Sequence, residues 1–117
     1  MELNLQGKVA MVTGGGQGVG RRLCIDFAAE GVTVIVNDLF GERAQKVVGE
    51  IEAQGGKAVP MECDVTDYAA VEAGLAKALQ AIGRDYVDIL VNNAGVTPER
   101  RAKGGIPPAF LDMPMED

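Results

Sequence analysis

The chain has 117 residues, of which 47% are hydrophobic and 24% charged, and its net charge at pH 7 is −6. This length fits one domain, and the composition is typical of a globular protein rather than of a disordered or fibrous one. The acidic excess argues against nucleic acid as a partner, because phosphate backbones are bound by clustered Lys and Arg side chains.

The sequence also restricts location and chemistry. No apolar run approaches the roughly 20 residues of a transmembrane helix, and the N-terminus lacks a basic start with an apolar stretch, so we expect a cytoplasmic protein with no membrane partner. There is no histidine, which excludes the histidine-dependent Ser and Cys nucleophile systems. Cys24 and Cys63 form no recognisable metal cluster, and we interpret both as small buried apolar side chains.

Strand and helix patterns alternate along the first 92 residues. The apolar run 8–13 predicts a first strand, four-residue apolar spacing over 18–30 predicts a helix that ends before Gly31, and 32–37 predicts a second strand. Apolar residues at helical spacing over 44–51 predict a second helix, and a third strand follows at 58–63. A third helix follows, with Thr66 as candidate N-cap and an apolar face reaching Ile82, and 88–92 is a fourth strand.

These patterns predict an α/β fold. Each crossover is long enough for a helix, which implies right-handed parallel connections. We therefore predict a Rossmann-type doubly wound parallel sheet of four strands in the order 3-2-1-4. Residues 1–95 form this unit, whereas 96–117 are predicted to be a loop or tail, because four of the five prolines fall there and no helix or strand period continues.

A glycine-rich segment lies directly between the first strand and the first helix. Residues 13–20 read Thr-Gly-Gly-Gly-Gln-Gly-Val-Gly. A pyrophosphate needs main-chain N–H groups at a helix N-terminus with no side chains in the way, and glycines provide this. A flexible connection is the alternative interpretation, but the flanking strand, helix and later acid favour dinucleotide binding.

Asp38 follows the second strand, eighteen residues after Gly20. This is close to the offset of roughly 20 residues at which an acid hydrogen-bonds the adenosine ribose hydroxyls. A carboxylate there would repel a 2′-phosphate, and no arginine or lysine follows it at Leu39 or Phe40, so NAD is predicted in preference to NADP. Alternatively, Asp38 only caps the following turn.

Three motifs together resemble the short-chain dehydrogenase/reductase family. They are the glycine segment, the Asp64-Val65 pair after the third strand, and Asn-Asn-Ala-Gly at 92–95 after the fourth. The resemblance covers residues 5–95. It implies that Asp64 hydrogen-bonds the adenine amino group, with the Val65 backbone beside it, and that Asn93 braces the central strands. The cofactor-binding residues it implies are Gly14, Gln17, Gly18, Val19, Gly20, Asp64, Val65, Asn93, Ala94 and Gly95, and Asp38 joins this set from its position after the second strand.

The catalytic residues of the family are not matched. Its members use a Ser, a Tyr and a Lys four residues after that Tyr, all further along than this sequence reaches. Here Tyr68 is followed four positions later by Glu72, and Tyr86 by Leu90. We therefore predict no catalytic residue and no metal ligand in the chain, and interpret both tyrosines as surface residues.

Two functional hypotheses follow. The first is the cofactor-binding part of an NAD-dependent dehydrogenase, acting on a small-molecule alcohol or carbonyl substrate and ending before the second half of the fold. The second is a non-catalytic dinucleotide-binding module. A sequence that continues into a Tyr-x-x-x-Lys segment would distinguish the first from the second. We also expect a homo-oligomer, because the fourth strand leaves an unpaired edge.

Overall fold

The computed structural model describes residues 4–94. The elements follow one another as β1 (Val9–Val12), α1 (Gly18–Ala29), β2 (Thr33–Asp38), α2 (Gly41–Ala53), β3 (Lys57–Glu62), α3 (Tyr68–Ile82) and β4 (Ile89–Val91). All strand pairs are parallel, and the sheet order is β3-β2-β1-β4. This confirms the predicted α/β class and the order 3-2-1-4. The expectations for Gly95 and for 96–117 lie outside the described residues.

The central strands alternate their side chains between two cores. From β1, Ala10 and Val12 pack against the face that carries α1 and α2, whereas Val9 and Met11 pack against the face that carries α3. Continuous apolar runs such as these are expected when a parallel sheet is covered on both sides. The sheet is therefore the middle of three layers.

The two edges of the sheet differ. At one edge, β3 contains Pro60, which pairs with Val36 of β2. Proline has no backbone N–H to donate to a further strand, so within sheets it is found mainly on edge strands. At the other edge, β4 pairs with β1, and within residues 4–94 no strand pairs with its outer side. Leu90 in its middle is 39% exposed.

The helix N-termini are capped differently. At α3 the N-cap is Asp67, whose Oδ1 accepts from the Ala70 N–H at 3.1 Å, so the prediction of Thr66 as N-cap is wrong. Thr66 instead donates its hydroxyl to Asp64 Oδ1 at 2.7 Å, which closes the turn before the helix. At α2 the Gly41 N–H donates to Glu62 at 3.0 Å.

None of the helices within residues 4–94 is long and apolar enough to cross a membrane. Cys24 and Cys63 are buried free thiols, as predicted. Tyr68 and Tyr86 are exposed, which also agrees with the prediction.

Candidate functional site

An open cleft of about 430 Å³ lies at the carboxyl ends of the parallel strands. Loops that leave the strand ends form its walls. Open α/β sheets bind their ligands in this position, outside the carboxyl ends of the strands. Its lining residues are Gly14, Gln17, Gly18, Asp38, Leu39, Phe40, Arg43, Cys63, Val65, Asn93 and Ala94.

The glycine loop packs tightly against the strand ends. Gly14 has φ of +62°, a conformation that side chains disfavour. A Cβ added at Gly20, in the first turn of α1, would overlap the Gly14 carbonyl oxygen and lie 2.5 Å from Asn93 Nδ2. The missing side chains therefore allow α1 to begin directly against β1.

The N-terminus of α1 opens towards this cleft. Gln17 is its N-cap, but its side chain makes no capping hydrogen bond, and the first turn contains no acidic residue. Gly18 has φ of +59°, and a Cβ there would meet nothing within 4 Å. Since the first N–H groups of a helix lack partners inside it and carry partial positive charge, this end is suited to an anion.

Asp38 is fixed at the end of β2. Its Oδ2 accepts from the Gly16 N–H at 3.0 Å, and its Oδ1 accepts from the Phe40 N–H at 2.9 Å. The residue is 4% exposed yet lines the cleft. Two backbone donors thus orient one carboxylate beside the glycine loop.

Asn37 connects the glycine loop to the end of β3. Its carbonyl accepts from the Gly15 N–H at 2.7 Å, and its buried Nδ2 donates to the carbonyls of Met61 and Cys63 at 2.9 and 3.2 Å. These bonds hold in place the segment that continues into Asp64 and Val65. From the sequence, Asn37 is predicted only as part of a strand, so its role in the site was missed.

Thr13 and Asn93 close the other side of the site. The Thr13 hydroxyl oxygen accepts from the N–H groups of Asn93 and Ala94 at 2.8 and 3.0 Å, and Asn93 Nδ2 donates to the Gly14 carbonyl at 3.1 Å. The end of β4 is thereby tied to the glycine loop.

The cleft brings together most of the residues expected from the sequence. Val19, Gly20 and Asp64 do not line it. Val19 is 70% exposed, Gly20 is buried beneath the loop, and Asp64 Oδ1 accepts from the backbone and hydroxyl of Thr66. The lining residues that coincide with the expected set are Gly14, Gln17, Gly18, Asp38, Val65, Asn93 and Ala94.

The cleft also contains a basic residue that the cofactor prediction did not consider. Leu39 and Phe40 directly follow Asp38, but Arg43 lines the same cleft, with its guanidinium carbon 4.5 Å from the centroid of the Phe40 ring. Five positions separate Asp38 from Arg43, and the first turn of α2 returns the arginine to the cleft.

Comparison with known proteins gives a consistent result. A family model described as short chain dehydrogenase matches residues 8–109. The 7alpha-hydroxysteroid dehydrogenase of Escherichia coli (strain K12) is 43% identical over 115 residues, which are 98% of this chain and 41% of that protein. This chain therefore spans less than half the length of that relative.

Two solved structures are similar. A 7α-hydroxysteroid dehydrogenase complexed with NADH and 7-oxo glycochenodeoxycholic acid has 38% identity and a TM-score of 0.72, covering 95% of this chain and 40% of that one. A 3-oxoacyl-[acyl-carrier protein] reductase with bound NAD from Brucella melitensis has 32% identity and a TM-score of 0.72, covering 81% and 35%. With the matching fold and cleft, these findings establish that the chain belongs to the short chain dehydrogenase family.

Proposed function

We propose that the chain binds NAD(H), in preference to NADP(H), as the cofactor-binding part of an oxidoreductase. In the complete enzyme, hydride passes between the nicotinamide and an alcohol or carbonyl carbon, and this part supplies binding and orientation. The observation that carries the preference is Asp38: a carboxylate held by two backbone donors accepts hydrogen bonds from ribose hydroxyls and repels a 2′-phosphate.

The rest of the cleft suits a dinucleotide. The uncapped N-terminus of α1, with Gly14 and Gly18 beside it, offers N–H donors and space for a pyrophosphate. We assign the adenine to the end of β3, where Val65 lines the cleft and the expected partner Asp64 precedes it. Asn93 and Ala94 lie on the side assigned to the second ribose.

The relatives support the class of reaction. Both similar structures carry NADH or NAD. The hydroxysteroid dehydrogenase also holds a 7-oxo compound, and the second protein is named as a reductase of 3-oxoacyl groups. We therefore propose a small-molecule carbonyl or alcohol as the substrate class.

Calorimetric titration of the purified chain with NAD⁺ and NADP⁺ tests the proposal. A hydrogen bond to a charged group contributes roughly 1.5 to 3 kcal/mol, so we expect NAD⁺ to bind at least tenfold more tightly. Competition with 5′-AMP checks that the adenosine end occupies the cleft. Equal affinities, or tighter NADP⁺, would contradict the assignment of Asp38.

A further inference from the structure

Asn37 is a buried polar side chain close to the cofactor cleft, but it does not line the cleft. It lies in β2 and is 1% exposed. Two residues earlier on the same face of the sheet, Ile35 packs in an apolar core with Met11 and Met61. A buried amide lowers stability unless it is fully hydrogen-bonded, so an apolar residue at position 37 would serve this core equally well. The amide is therefore better explained by the site than by the core.

The amide nitrogen of Asn37 joins two backbone carbonyls at the end of β3. Nδ2 donates to Met61 O at 2.9 Å and to Cys63 O at 3.2 Å. Met61 is the partner of Asn37 in the parallel ladder, whereas Cys63 lies beyond the last residue of β3. The Cys63 N–H also donates to the Asp38 carbonyl at 3.1 Å. The side chain of Asn37 thus continues the connection between the two strands past the end of β3.

The turn that is fixed in this way, 63–65, lies where the proposed function places the adenine. Cys63 and Val65 line the cleft. Between them, Asp64 Oδ1 accepts from the N–H and the hydroxyl of Thr66 at 2.9 and 2.7 Å. The Asn37 amide therefore holds the start of the turn, and the Thr66 bonds hold its end. Recognition of a base edge needs groups fixed in this manner, because hydrogen bonds weaken steeply when they are misaligned.

We propose that Asn37 is a positioning residue for recognition of the adenine base. Its amide fixes the turn 63–65, so that this turn distinguishes adenine from a purine without the exocyclic amino group. Asn37 acts through the backbone of Cys63 and does not touch the base itself. This inference rests on the proposed function, because it takes the adenine to lie at the end of β3.

The first arm of the test compares two dinucleotides that differ only in the base. Deamino-NAD⁺ carries hypoxanthine, which has an oxygen in place of the adenine amino group and a proton on N1. Groups placed to bind the edge of adenine therefore meet the wrong partners in hypoxanthine. In calorimetric titrations of the wild-type chain, we expect NAD⁺ to bind about tenfold more tightly than deamino-NAD⁺.

The second arm removes the amide. Asn37→Leu keeps a side chain of similar size but lacks both donors. We expect its NAD⁺ affinity to fall about tenfold and its deamino-NAD⁺ affinity to change by less than about twofold, so the preference for adenine disappears. Circular dichroism and urea unfolding establish that the variant is folded and give its stability.

Ile35→Val is the matched control for a change of stability. Ile35 is fully buried on the same strand and the same face, and its side chain has no hydrogen-bonding group. Loss of one buried methylene should lower the free energy of unfolding, whereas the preference for NAD⁺ over deamino-NAD⁺ should be kept.

A third arm uses the wild-type chain alone. Both hydrogens of the Asn37 amide are bonded to carbonyls, so its side-chain resonances in a ¹⁵N-labelled sample should exchange slowly with water. At equal saturation, NAD⁺ should slow this exchange more than deamino-NAD⁺ does, because only adenine completes the contacts of the turn. If Asn37→Leu does not fold, this difference supports the positioning role and equal exchange rates refute it.

The outcomes separate the two proposals. If the wild-type chain binds NAD⁺ and deamino-NAD⁺ equally, or if Asn37→Leu weakens both to the same extent, the positioning role is wrong while the preference for NAD⁺ over NADP⁺ can stand. Loss of the base preference in Ile35→Val would assign the effect to stability and would also refute the role. If the wild-type chain binds no dinucleotide, both proposals are wrong.

Discussion

Gly20 is a residue at which a single methyl group decides whether the site can form. An alanine there would drive its Cβ into the Gly14 carbonyl oxygen and against Asn93. Overpacking typically costs roughly 1 to 3 kcal/mol, so we expect Gly20→Ala to lower the free energy of unfolding by about 2 kcal/mol and to weaken NAD⁺ binding. Urea unfolding followed by circular dichroism measures the first effect, and calorimetry the second.

Gly49 provides the matched control. It lies inside α2, and an added Cβ would meet nothing within 4 Å. Alanine is the better helix former by roughly 0.5 to 1 kcal/mol, so Gly49→Ala should stabilise the chain slightly and leave binding unchanged. Similar effects of the two substitutions would mean that the packing of α1 on β1 has been misjudged.

The two cysteines should be unreactive in the folded chain. Burial raises the pKa of the Cys24 thiol to about 12. The pKa of Cys63 is also raised, mainly by burial and further by the charges of Asp64 and Asp67. Since the thiolate is the nucleophile, iodoacetamide at pH 8 should modify neither thiol before unfolding, as followed by mass spectrometry.

The two thiols differ in position, which gives an internal control. Cys63 lines the cleft and is 7% exposed, whereas Cys24 is fully enclosed between α1 and the sheet. Any slow labelling of the native chain should therefore occur first at Cys63, and NAD⁺ should retard it. Faster labelling of Cys24 in the native state would contradict this assignment.

At the scale of elements, α1 and α2 are joined by a bidentate ion pair. Arg21 donates from Nε and Nη2 to the two carboxylate oxygens of Glu50, at 2.9 and 2.6 Å. The hydrogen bond from Arg21 is the main cause of a lowered Glu50 pKa. The folded state therefore binds this proton less readily than the unfolded state does, and the pair stabilises the fold above the ordinary pKa of 4.5.

Acid titration checks this coupling. The contribution of the pair should be complete at neutral pH and should be lost as the pH falls through the lowered pKa of Glu50. Glu50→Gln should reduce stability at pH 7 by a small amount, because both partners are partly exposed, and should flatten the acid side of the stability curve. Glu52→Gln on the same helix is the control, and an identical acid limb in both variants would refute the assignment.

The elements were predictable because their signals are local, whereas parts of the site depend on tertiary contacts. The run at 8–13 and the spacing at 44–51 each specify their own segment, and the structure has β1 and α2 there. The cap of α3 depended on the Thr66 hydroxyl, which donates to Asp64 and leaves the capping position to Asp67. The position of Arg43 depended on how closely α2 approaches Gly16, which no spacing along the chain reports.

At the scale of the whole molecule, the described residues leave one apolar region incompletely covered. The side chains of α3 that pack towards the sheet, such as Leu75 and Leu79, are only partly buried, and Leu90 on β4 is exposed. Unpaired edges and apolar faces favour association. We expect the 117-residue chain to dimerise or to be poorly soluble at high concentration, as measured by light scattering over a dilution series.

A charge on the open edge should reduce this association. Leu90→Lys places a lysine on β4, which is how natural edge strands are protected. Tyr68→Lys is the control, because Tyr68 is a large exposed side chain at the start of α3, in a different element. A wild-type chain that stays monomeric at all concentrations would contradict the expectation, as would equal effects of the two lysines.

Pro60 protects one of the two sheet edges through which such association could proceed. The edge formed by β3 carries the proline, with the exposed charges of Lys57 and Glu62 at its ends, and these features hinder strand addition. Within the described part of the chain, the edge at β4 has no such protection. Because the described residues leave only the β4 edge open to strand addition, two chains can pair there about a two-fold axis, and the protected β3 edges of that pair hinder further extension of the sheet.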